Sequence, residues 1–191
     1  MRYWWANQKH AYAEEVAGGC LWCPQRRANG SRNPFYENLR LAAPGDVVFA
    51  YHGAQIRAIG IVLSRAREAA APFAGADGAP RRPDVAGWLL DVAWLELKRP
   101  LAPGRYMTIL APLLPEVLAP LTPRGKGIQG GRLLEIPARL ARALLQLAGG
   151  TDPARLLHPD WEPHQLRFGF AEADGRAAGG APAAPPVQTG T

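Results

Sequence analysis

Apolar residues in this chain fall mostly in short, β-branched and aromatic runs, with helical spacing confined to three brief stretches. Tyr3-Trp4-Trp5-Ala6-Asn7 predicts a strand whose alternation sends Trp4 and Trp5 to opposite faces, so one can line a pocket while the other joins the core. Val47–Tyr51 and Ile56–Leu63, separated by His52-Gly53-Ala54, predict a hairpin. Trp88–Leu95 alternates, with Trp88, Leu90, Val92 and Trp94 on one core-facing side. Helices are predicted at Ala11–Ala17, stopped by Gly18-Gly19, and at Pro34–Arg40, where Asn33 supplies a cap and Glu37 an acid in the first turn. The third is Ala138–Ala148, opened by Pro137 and closed by Gly149-Gly150, with Leu140, Leu144, Leu145 and Leu147 on one side. Pro44-Gly45-Asp46 reads as a turn and residues 66–87 as a long loop. Several strands with turns between them and a few short helices predict a small α+β barrel.

The pattern fades toward the C-terminus. Residues 171–191 contain no aromatic side chain, and 14 of these 21 positions are Ala, Gly or Pro, a composition that cannot offset its ordering entropy. The expected organisation of the 191 residues is a domain over 1–150, a C-terminal extension over 151–170 in which Trp161, Phe168 and Phe170 can dock, and a disordered tail over 171–191. No apolar run reaches the roughly 18–20 residues of a membrane span, and MRYWWANQKH lacks a signal-peptide core, so no membrane partner and a cytoplasmic location are expected.

Charge changes this picture. The net +6 resolves into +8 over the first 150 residues and −2 over the rest. Two stretches, 25–32 and 122–132, each hold three basic side chains and no acid among loop-forming residues. Excess positive charge together with six tryptophans suggests nucleic acid, with Arg26, Arg27, Asn29, Arg32, Arg124 and Lys126 placed to meet a phosphate backbone. Catalytic patterns are missing: no paired carboxylates, nucleophile elbow, P-loop or dinucleotide fingerprint occurs. Cys20-Leu21-Trp22-Cys23 has no second cysteine pair, and His10, His52, His158 and His164 do not complete a tetrahedral set. A binding domain without catalytic residues, metal or cofactor is therefore expected.

Six segments carry a resemblance. Tyr3-Trp4-Trp5-x-Asn7-Gln8, Gly18-Gly19-x-Leu21-Trp22-x-Pro24, Asn29-Gly30-x-Arg32-Asn33-Pro34-Phe35-Tyr36, Pro44-Gly45-Asp46-Val47-Val48-Phe49, Ala58-Ile59-Gly60-Ile61 and Pro123-x-Gly125-x-Gly127-Ile128-Gln129 together resemble the EVE domain. The form resembled is the one N-terminal in EVE–HNH modification-dependent restriction endonucleases, over roughly residues 1–148. The resemblance implies a compact PUA-like β-barrel with short surrounding helices. It also implies recognition of 5-methylcytosine or 5-hydroxymethylcytosine in double-stranded DNA, the base being flipped into an aromatic pocket. Trp22 and Asn7 would carry that pocket by position, with Trp5, Tyr51, Cys23 and Gln129 beside them. The HNH half is absent from this chain, so cleavage calls for an HNH nuclease in trans. Pro83 stands where relatives often have a tryptophan, and Cys20 and Cys23 stand where they tend to have Tyr and Ser. Two alternatives stay open: a PUA-like module reading a modified or single-stranded base in RNA, and a truncated HNH endonuclease subunit.

Overall fold

The computed structural model describes residues 1–9, 11–73, 85–128 and 131–150. The expectations for Pro83, Gln129, the extension and the tail lie outside these residues.

Seven strands form one mixed, curled half-barrel sheet, with short helices around it. In chain order the elements are β1 (Tyr3–Asn7), α1 (Tyr12–Ala17), β2 (Cys20–Pro24), α2 (Pro34–Leu41), β3 (Val47–His52), β4 (Gln55–Val62), β5 (Arg67–Ala69), β6 (Gly87–Leu101), α3 (Met107–Leu110) between two 3-10 turns, β7 (Leu133–Glu135) and α4 (Ala138–Leu147). The strand order is β2-β6-β4-β3-β1-β7, with β5 also paired to β6. β1 and β3 run parallel, from Tyr3 opposite Val47 to Asn7 opposite Tyr51, so Asn7 and Tyr51 emerge side by side at the same end.

Local chemistry explains most boundaries. The Asn33 side chain accepts from the Phe35 N–H at 3.1 Å ahead of Pro34, which fixes the start of α2. Gly53 and Ala54 both take positive φ, 58° and 62°, giving β3 and β4 the left-handed pair that a two-residue hairpin loop needs. His52, expected in the turn, is the last residue of β3. β6 continues six residues past Leu95 because Leu95 and Leu97 keep packing on the core while Glu96 and Lys98 alternate outward. β2, β5 and β7 were not expected. Two of them are three residues long, and the stretch read as a loop contributes β5 by pairing Arg67–Ala69 with Gly87–Leu89 of β6.

The sheet is buried on both faces. One side packs Trp5, Phe49, Ile59 and Leu134 with Leu140 and Leu144 of α4; the other packs Trp4, Val48, Leu90 and Trp94 with Val16 of α1 and Leu39 of α2. Trp4 and Trp5 do take opposite faces, and both are fully buried. The two ends of the strand order, β2 and the β1–β7 pair, are joined by side chains. Arg132 donates to the backbone oxygens of Asn7 at 2.9 Å and Trp22 at 3.0 Å and to the Glu15 carboxylate. Glu15 in turn accepts from the Trp22 N–H at 2.8 Å and from Gln8 Nε2 at 3.0 Å.

Candidate nucleic-acid interface

A cavity of about 520 Å³ opens where the parallel strands β1 and β3 end, a size in the usual range for small-ligand sites. Asn7 and Gln8 follow from β1, Tyr51 and His52 from β3, Tyr36 from α2, and Gly127, Ile128 and Arg132 from the segment leading to β7. Its back wall is aromatic. The Tyr51 ring leans on Trp5 with centroids 4.7 Å apart and planes 38° apart, and its hydroxyl accepts from the Gly127 N–H at 3.2 Å. Glycine is required at 127 because a Cβ there would come within 2.5 Å of the Tyr51 ring. Burial raises the Tyr51 pKa against the opposing Gly127 hydrogen bond, so the wall stays a neutral phenol at physiological pH.

The polar groups divide into engaged and available. Asn7 holds the wall together: its Oδ1 accepts from Trp5 Nε1 at 3.1 Å, and its Nδ2 donates to the Gly131 oxygen at 2.5 Å. His52 Nδ1 lies 2.7 Å from the Gln8 oxygen, and because a carbonyl only accepts, Nδ1 carries a proton there. The His52 ring stacks on Tyr12 at 5.2 Å, and the Tyr12 hydroxyl donates to Glu96 at 3.0 Å, so the imidazole is held from behind. Gln8 Oε1 is the one buried side-chain acceptor left without a partner among the described residues. Arg132 is largely buried and paired with Glu15. Burial opposes its charge, but the adjacent Glu15 carboxylate outweighs that and raises its pKa.

Several expected site residues lie elsewhere. Trp22 does not line this cavity: its indole lies across Gly87, where a Cβ would sit 2.3 Å from the ring, and Nε1 donates to the Ala69 oxygen at 3.1 Å. Trp5 is 0% exposed and backs Tyr51 without offering a face to a ligand. Cys23 is buried with its thiol 3.7 Å from the Tyr36 oxygen. Burial pushes the Cys20 and Cys23 thiols up to about 12, which keeps both uncharged at neutral pH. Arg132, counted with the loop cations, belongs to the fold and not to the free positive surface. Of the predicted pocket, Asn7 and Tyr51 line the cavity. Tyr36, Gln8 and His52 were not predicted to line it. Gln8 and His52 directly follow Asn7 and Tyr51, and a parallel β1–β3 pair would have brought all four together. No sequence pattern announces that pairing.

The basic loops are built as exposed turns. Arg26 and Arg32 form a bridge that closes the first loop, and Asn29 Oδ1 accepts from the Ser31 N–H at 3.1 Å, a turn-forming role. Leu121 and Gly127 close the second. Arg26, Arg27, Arg32, Arg124 and Lys126 are exposed, and none of them joins an ion pair among the described residues. The second loop runs directly into Gly127 and Ile128 of the cavity wall, and the first leads into α2, which carries Tyr36. Among the described residues no group of three or more metal-ligating side chains occurs, and no helix is long and apolar enough to cross a membrane.

The curled half-barrel sheet with its few short helices is an α+β fold shared with solved structures. No family model and no curated protein matches the sequence. Among solved structures, the chain is similar to human THYN1 in complex with DNA containing 5-methylcytosine, with TM-score 0.51 and 15% identity over 80% of this chain and 100% of that one. A hypothetical protein from Leishmania major gives TM-score 0.50 and 11% identity over 78% and 96%. The YTH domain of Pho92 in complex with m6A gives TM-score 0.49 and 14% identity over 79% and 87%.

Proposed function

We propose that residues 1–150 form a domain that reads a modified base in nucleic acid, taking a cytosine bearing a 5-methyl or 5-hydroxymethyl group out of a DNA duplex into the cavity at the ends of β1 and β3. The observation that carries this reading is the cavity itself, a site of about 520 Å³ with Tyr36, Tyr51 and His52 in its walls, into which the two loops bearing exposed cations lead. The same fold in human THYN1 is found with 5-methylcytosine DNA, which supports DNA as the ligand.

The energetics fit such a site. Extruding a base costs a few kcal/mol, and stacking on one aromatic side chain returns about 1–3 kcal/mol. Phosphate contacts from Arg26, Arg27, Arg32, Arg124 and Lys126 supply sequence-independent affinity. A buried methyl group is worth only about 0.8 kcal/mol, roughly fourfold. Discrimination therefore falls to polar groups left unpaired by the wrong ligand, and the edge of the His52 ring, held with Nδ1 on the Gln8 oxygen, suits the exocyclic amine or the added hydroxyl of a modified cytosine.

The test is fluorescence anisotropy with matched duplexes containing cytosine, 5-methylcytosine or 5-hydroxymethylcytosine, beside the same sequence as RNA. Tighter binding of a modified duplex, lost in Tyr36→Ala, is expected. Equal affinity for all three DNA forms overturns the reading, and stronger binding to RNA replaces DNA as the ligand. In the wider proposal the chain is the specificity module of a restriction system and a separate HNH nuclease cuts. Modified plasmid is then cleaved only when both polypeptides are present.

A further inference from the structure

Two large apolar side chains stand in water on the segment that leads into the cavity wall. Val117 is 74% exposed and Leu118 59% exposed, and they are adjacent in a stretch bounded by Pro115 and Pro120. Leu118 adopts φ 58°, in the left-handed region, where a bulky side chain is strained and glycine or asparagine would be at ease. Nothing in the folding of this chain rewards a leucine there: its side chain is largely uncovered, and its backbone is in a conformation it disfavours. Both features fit a residue presented to a partner.

The position identifies the partner. Pro120 accepts from the Ile128 N–H at 3.1 Å, and Ile128 lines the cavity. Leu118 is two residues from Pro120, at most about 7 Å of chain. On the other side of Pro120, the turn closed by the Leu121–Gly127 bridge presents Arg124 and Lys126. One short segment therefore carries an apolar tip, a wall of the cavity and two cations. When a base leaves a duplex it vacates a step in the stack, and proteins that unstack DNA commonly insert a leucine or similar apolar residue at such a step. We propose that Leu118, flanked by Val117, is a wedge that fills the stack vacated when the base enters the cavity, while Arg124 and Lys126 hold the adjacent phosphates. This rests on the base-reading function proposed above.

The closing experiment compares the full-length protein with Leu118→Ala and Leu118→Phe on 5-methylcytosine placed either in a duplex or in a single strand. Because Leu118 is exposed, both variants are expected to keep the wild-type unfolding midpoint. Leu118→Ala should weaken duplex binding about tenfold and leave single-strand binding unchanged, since a single strand has no gap to fill. Leu118→Phe should restore duplex binding. A 2-aminopurine placed next to the target base should brighten less with the alanine variant. An equal loss on both substrates, as a general contact surface would give, overturns the wedge, and so does no loss on the duplex while wild type still prefers the modified base. Absence of any preference in the wild-type protein, on duplex and single strand alike, overturns the cavity reading and the wedge with it.

Discussion

Arg132 and Glu15 form a largely buried ion pair whose carboxylate also accepts from the Trp22 N–H and from Gln8 Nε2. The pair lies between the two ends of the strand order, where no strand pairing joins β2 to β1. Removing one member leaves an uncompensated buried charge and frees the edge. Arg132→Met or Glu15→Gln is expected to cost about 3–5 kcal/mol in urea unfolding, and the double variant less than the sum. Additive losses would show that the two groups act independently.

The two cysteines give the protein an alkaline limit. Both thiols are raised from 9.0 to about 12 by burial, and the neutral form is the one the fold accepts. Below pH 9 folded and unfolded chains are both protonated, and the contribution is complete. Above it the unfolded chain ionises first, so stability falls as pH climbs from 9 toward 12, by up to about 1.4 kcal/mol per pH unit for each thiol. Tyr12 and Tyr51, also raised by burial, act in the same direction. Urea midpoints at pH 8, 9.5 and 10.5 should decline, and Cys20→Ala with Cys23→Ala should flatten part of that decline.

Salt dependence separates the cations from the cavity. Arg26→Ala with Arg27→Ala should weaken binding to modified and unmodified DNA alike and reduce the slope of log K against log salt by about 1.8, near 0.9 for each lost phosphate contact. The preference for the modified base should survive. An unchanged slope would place the backbone contacts elsewhere.

Ala54 is the residue at φ 62° in the β3–β4 turn. Ala54→Gly removes a left-handed penalty of about 1–2 kcal/mol and adds unfolded-state freedom of about 0.5–1 kcal/mol. A net gain of roughly 0.5–1 kcal/mol is expected from thermal or urea unfolding.

What could be read from sequence divides along physical lines. Strands with strong alternation, such as Tyr3–Asn7 and Trp88–Leu95, and helices with a cap or a proline at the start, such as Pro34–Arg40, declare themselves because their signals are local. Strands of three residues such as Leu133–Glu135 carry too little pattern, and Arg67–Ala69 is a strand only because β6 lies beside it. The site is less legible for the same reason. Trp22 looked like a pocket ring because it sits next to a proline and a basic loop, yet the missing side chain at Gly87, 65 positions along the chain, is what receives its indole. Tyr51 was readable as a strand-end aromatic. Its role as back wall depends on Trp5 behind it and Gly127 above it, neither of which is near it in sequence.

The side-chain closure between β2 and β1 ties two timescales together. Asn7 both lines the cavity and bonds through its own N–H to the Arg132 oxygen at 3.0 Å, so any fluctuation that unlatches Arg132 also loosens the wall where the base is held. The amide protons of Asn7 and Trp22, far apart in the strand order, should exchange with solvent in step. Occupying the cavity should slow both, so that exchange at Trp22, which does not line the cavity, reports through Arg132 on whether the cavity is filled.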